Sequence, residues 1–92
     1  MGDPPPDPES APLEVVLDGC GLNRGEVAEG SHDVALVGEG ALIVTDARDQ
    51  EVLSLPGGSR TLVTTVQTYT FTCSVGDKET TSTLKSVVSS NQ

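Results

Sequence analysis

Thr68-Tyr69-Thr70-Phe71-Thr72-Cys73-Ser74-Val75 is the stretch on which the fold turns. Its period is two: Tyr69, Phe71, Cys73 and Val75 share one face, while Thr68, Thr70, Thr72 and Ser74 share the other. That alternation is the mark of a strand with one face in a core, so the first set points inward. The chain's one Tyr and one Phe therefore sit together beside a cysteine.

On either side of this stretch the pattern continues as short apolar runs punctuated by glycine, with no helical stripe longer than two turns. We read strands at Leu13–Leu17, Glu26–Ala28, His32–Val37, Ala41–Thr45, Glu51–Leu55, Arg60–Val66, Thr68–Val75 and Thr80–Val88. Short strands at this spacing predict an all-β, two-sheet sandwich. Gly38-Glu39-Gly40 predicts a hairpin between its flanking strands, and Pro56-Gly57-Gly58 separates the next two. Leu13–Val16 and Thr80–Val88 also admit a helical reading. Thr80, Thr81, Thr83 and the serines of the last segment lower helix propensity, so a strand is preferred there.

Composition narrows the class. The 92 residues carry 14 acidic and 5 basic side chains, a formal net charge of −9, and 35% hydrophobic residues. One domain fits in this length, which excludes a multi-domain enzyme. Trp is absent and Val and Thr are abundant, so the expected core is β-branched rather than aromatic. The basic residues Arg24, Arg48, Arg60, Lys78 and Lys85 are scattered, which argues against nucleic acid and against an anionic lipid surface. The longest apolar run, Ala41–Val44, falls far short of the roughly 20 residues that span a bilayer, so direct membrane insertion is not expected.

Residues 1–12 hold five of the six prolines with Asp3, Asp7 and Glu9, and almost nothing apolar. They read as an extended acidic linker, a possible tether, ahead of a single domain over residues 13–90. No charged and apolar leader pattern opens the chain, which leaves a cytoplasmic protein or a piece whose leader has been removed. The second is preferred on the cysteines.

Cys20 follows the first strand and Cys73 lies in the penultimate one. Two cysteines without a CxxC motif can form a disulfide, remain as buried thiols, or provide half of a metal site. A bridge between distant strands is preferred. Closing so long a loop restricts the unfolded chain by roughly 4 kcal/mol, comparable to the whole stability of a small domain, and implies an oxidising compartment.

Other chemistry is sparse. His32 is the only histidine; it could join Cys73 on a metal, or serve as a hydrogen-bonded residue at a strand end, and the second is preferred. A blue-copper site needs two imidazoles and a thiolate, which one histidine cannot complete. Asp46, Asp49 and Glu51 flank a turn and could hold Ca²⁺ weakly, although their spacing is not that of an EF-hand, and a solvated turn is the preferred reading. No Gly-x-Ser-x-Gly elbow supports nucleophilic catalysis, so neither an enzyme nor a bound cofactor is expected.

The order of Cys20-Gly-Leu-Asn23, Val27-Ala-Glu-Gly30, Leu55-Pro-Gly57, Thr61-Leu62 and Tyr69-Thr-Phe-Thr-Cys73 resembles the cupredoxin-like domains of bacterial secreted and periplasmic proteins. EfeO-type iron-uptake lipoproteins are the nearest in kind. The resemblance covers residues 13–75 and implies a Greek-key sandwich in which Cys20 pairs with Cys73. Copper ligands do not carry over: Ser74-Val-Gly-Asp-Lys-Glu79 stands where metal-binding members have His and Met, and Val66-Gln67-Thr68 stands where Pro-Gly would precede the Tyr. An immunoglobulin-like sandwich is the rival, but it lacks its Trp, and Phe71 stands where a tyrosine corner would put Tyr.

The expectation is a non-enzymatic, secreted, periplasmic or cell-envelope module, monomeric, that binds an unidentified protein or acts as a structural or accessory domain. Its alternative is a metal-handling accessory of iron or copper uptake, for which the −9 charge would attract cations. Edge strands are the expected contact, with the Thr/Ser face of Thr68–Ser74 and the last strand as candidates.

Overall fold

A computed structural model describes residues 12–89. Most of the expected linker over residues 1–12, and residue 90 at the far end of the expected domain, lie outside the described residues. The described residues hold nine strands and no helix: β1 (Leu13–Val16), β2 (Gly21–Leu22), β3 (Glu26–Ala28), β4 (Gly30–Val37), β5 (Ala41–Thr45), β6 (Glu51–Leu55), β7 (Thr61–Thr64), β8 (Thr68–Val75) and β9 (Lys78–Val87). They form a four-stranded sheet in the order β2-β1-β4-β7 and a five-stranded sheet in the order β3-β9-β8-β5-β6. Both sheets are mixed, because β1 runs parallel to β4 and β3 runs parallel to β9.

The alternation that singled out β8 holds. Tyr69, Phe71 and Cys73 are buried and Val75 is partly covered, whereas Thr68 is exposed. The same parity buries Leu13 and Val15 on β1, Leu42 and Val44 on β5, and Leu62 on β7, and these side chains meet between the sheets. The interior differs from the β-branched core expected. Leu13, Leu17, Leu42, Leu53, Leu55, Leu62 and Leu84 are its largest group, against four buried valines, while Val16, Val37, Val52, Val63, Val66 and Val88 are exposed. Valine satisfies strand propensity on either face of a sheet, but the roughly 10 Å layer between two sheets needs longer side chains to fill it.

Pro56–Gly58 separates β6 from β7 as expected, but the turn at Gly38–Gly40 does other work. No hairpin joins β4 to β5: β4 pairs with β1 and β7, and β5 pairs with β6 and β8. Gly38-Glu39-Gly40 carries the chain from one sheet to the other, because the apolar faces of β4 and β5 must confront each other across the core. The crossing is tight. A Cβ on Gly40 would stand 2.5 Å from the Ser74 carbonyl oxygen, and its φ of +150° already lies outside the range that side chains favour. The hairpins are β5–β6 around residues 46–50 and β8–β9 around Gly76-Asp77, where Gly76 takes a φ of +60°.

The pairing also gives the molecule two distinct ends. β1, β4 and β8 run toward the end that carries the turns at residues 17–20, 38–40 and 76–77. The described chain enters at the opposite end, where Asn23 Nδ2 donates to the Pro12 carbonyl at 3.2 Å. β9 finishes there too, with Val87 opposite Ala28. We call the entry and exit side the proximal end and the glycine-turn side the distal end.

Candidate functional site

At the distal end the turn after β1 brings Leu17 under the sheets, and Gly19, at a φ of +96°, reverses the chain into Cys20. Cys20 is bonded to Cys73 of β8, with the two Cα atoms 5.4 Å apart, inside the usual range for a disulfide. Both cysteines are buried. The bridge therefore joins the β1–β2 turn of one sheet to a central strand of the other. Ser82 Oγ of β9 adds a second tie by donating to the Cys20 carbonyl at 2.8 Å.

Beside the bridge lies a pocket of about 160 Å³ lined by Leu17, Asp18, Gly19, Cys73, Val75, Lys78 and Thr80. Its presence follows from the parity of β9. Lys78 stands opposite Val75 and Thr80 opposite Cys73, so both belong to the core-facing side of the strand. Farther along that side the interior is sealed by Leu84 and Ser86. Toward the distal end the covering sheet stops at Leu17, and that side of β9 becomes progressively open to solvent, from buried Leu84 through half-buried Ser82 and Thr80 to exposed Lys78.

His32 is at the other end. It is the third residue of β4, is 9% exposed, and its Nε2 lies 2.5 Å from the Ala28 carbonyl oxygen. A carbonyl only accepts, so Nε2 carries the proton and offers no lone pair to a metal. Thr64 Oγ1 is 3.3 Å from the same oxygen and from the Gly30 carbonyl, completing a small polar cluster where the chain passes from β3 into β4. The pairing of His32 with Cys73 on a metal is closed by the bridge, which leaves no thiolate at Cys73.

Asp46, Asp49 and Glu51 occupy the β5–β6 hairpin. Asp46 Oδ1 accepts the backbone N–H groups of Arg48 at 2.8 Å and Gln50 at 3.0 Å, so the carboxylate shapes the turn itself. Asp49 takes a φ of +62°, and Glu51 begins β6. Among the described residues no three His, Cys, Asp or Glu side chains come together in a group able to hold a metal ion.

At the proximal end a corner forms where β7 hands over to β8. Tyr69 Oη accepts the Thr65 N–H at 2.8 Å and lies 3.1 Å from Gln67 Nε2. The bond tyrosine corners make is thus present, supplied by Tyr69 instead of position 71. Our sequence reading missed this corner and the inward placement of Lys78 and Thr80. The second was available in principle, because continuing the β8 pairing around Gly76-Asp77 sets both on the core-facing side. No family model, curated protein or solved structure matches this chain.

Proposed function

We propose that this chain is a non-enzymatic β-sandwich module of an extracytoplasmic or cell-envelope protein, held from its proximal end and meeting a protein partner with its distal end. The observation that carries the reading is the polarity of the fold. The described chain enters and leaves on one side, while the turns at 17–20, 38–40 and 76–77 and the pocket lie on the other. Loops held by a rigid sandwich are where binding residues concentrate. A buried inter-sheet disulfide supports an oxidising compartment.

Within the sandwich class we propose the cupredoxin-like topology over the immunoglobulin-like one. The parallel pairings β1/β4 and β3/β9 depart from the all-antiparallel sheets of the rival, and Cys20 sits in a turn instead of on a strand. The metal-handling alternative would have to join His32 of β4 to carboxylates of the β5–β6 hairpin, and among the described residues no such group of three comes together. Of the two edge candidates, β8 lies inside its sheet, whereas β9 is covered by β3 only over Lys85–Val87 and leaves Lys78–Leu84 as an edge beside β8.

The test is site-specific photo-crosslinking in the cells that produce the protein. A crosslinker at Glu39 or Asp77, both distal, should give one discrete adduct, and a crosslinker at Asp49 or Val66, both proximal, should give none. Adducts confined to the proximal positions would reverse the assignment.

A further inference from the structure

The distal pocket combines features that a gap left by loose packing would not share. Its floor is apolar, made of Leu17, Val75 and the Cys73 end of the bridge. Its walls carry opposite charges from different sheets: Asp18 from the turn after β1, and Lys78 from the first residue of β9. Lys78 and Thr80 lie on the side of β9 that farther along carries the buried Leu84, with Lys78 exposed and Thr80 half-buried, so the pocket has an apolar lining and a charged rim open to solvent. The bridge and the Ser82 bond to the Cys20 carbonyl fix the two walls relative to each other.

Size then limits the ligand. At about 160 Å³ the pocket is well below the roughly 300–1,000 Å³ of sites that take drug-sized molecules, which removes nucleotides and oligosaccharides. We propose that this pocket binds a small aliphatic zwitterion, a free amino acid of about the size of valine. Its side chain would rest on Leu17, Val75 and the bridge, its carboxylate would face Lys78, and its ammonium would face Asp18. The opposed charges matter because a site in a chain of net charge −9 would otherwise repel any carboxylate. The proposal uses the same distal end as the proposed function and adds a ligand class to it.

The experiment is an amide NMR titration of the oxidised protein with L-valine, butyrate and butylamine. L-valine should shift Asp18, Gly19, Gly76 and Lys78 saturably with a midpoint of about 1 mM, the weak end expected for exposed charges and a small contact. Butyrate and butylamine, each with one charge, should bind at least about tenfold more weakly. Lys78→Ala and Asp18→Ala should each lose about tenfold for L-valine while keeping a dispersed spectrum. No saturation by about 20 mM, or equal midpoints for the three probes, overturns the proposal without recourse to any variant. Retained distal crosslinking alongside absent L-valine binding would remove the ligand and leave the protein-binding end standing; loss of both would remove the two together.

Discussion

Ser86 presents the sharpest contrast between two hydroxyls. Its Oγ is inside the sandwich without a hydrogen-bond partner, whereas the part-buried Tyr69 hydroxyl accepts the Thr65 N–H. An unsatisfied buried hydroxyl costs free energy, and deleting an acceptor strands its donor, so the two deletions should move stability in opposite directions. Ser86→Ala should raise the unfolding free energy by about 1 kcal/mol, and Tyr69→Phe should lower it by about 1–2 kcal/mol, both read from urea midpoints. Residue-level legibility followed side-chain uniqueness. Tyr69, Phe71 and Cys73 stood out because a lone aromatic pair beside a cysteine admits few placements. Lys78 and Thr80 did not, because a polar residue on a strand is ordinarily assigned to the solvent face.

Between elements, the glycine turns decide whether consecutive strands pair or part. Gly40 lies against the Ser74 carbonyl with a φ of +150°, while Gly25 has open space around its missing Cβ. Gly40→Ala should therefore destabilise by about 2 kcal/mol or more, and Gly25→Ala should be close to neutral, as measured by thermal or urea unfolding. All eight expected strands match observed ones to within two residues at each end; the largest differences are Arg60–Val66, which shortens to β7, Thr80–Val88, which shifts to begin at Lys78, and His32–Val37, which begins at Gly30. The two-residue β2 was illegible, since Gly21-Leu22 has no period to read. Partnership was the larger omission. Gly38-Glu39-Gly40 signals a reversal equally well for a hairpin and for a sheet crossing, and only the need to bury both the β4 and β5 faces distinguishes them.

At the scale of the molecule, two features act on the balance between folded and unfolded chains. A net charge of −9 repels itself more in the compact state, so raising NaCl from about 0.02 to 0.3 M should increase the melting temperature. A decrease would mean that specific attractive pairs outweigh the net repulsion. The second feature is the Cys20–Cys73 bridge, which closes a sequence separation of 53. Reduction should cost about 4 kcal/mol in the chain-entropy model, most or all of what a domain of this size has available. The all-β class, the sandwich and this bridge were readable because each rests on a pattern within the sequence; the two-ended polarity was not, since it depends on which strands run parallel.

The proposed oxidising compartment requires that bridge to be a property of the protein in its own surroundings. Intact mass after alkylation of the protein isolated directly from the cells that make it, with and without prior reduction, tests this most directly. We expect no alkylation before reduction and modification of both cysteines after it. Two thiols alkylated without reduction would contradict the inter-sheet staple and the oxidising compartment with it.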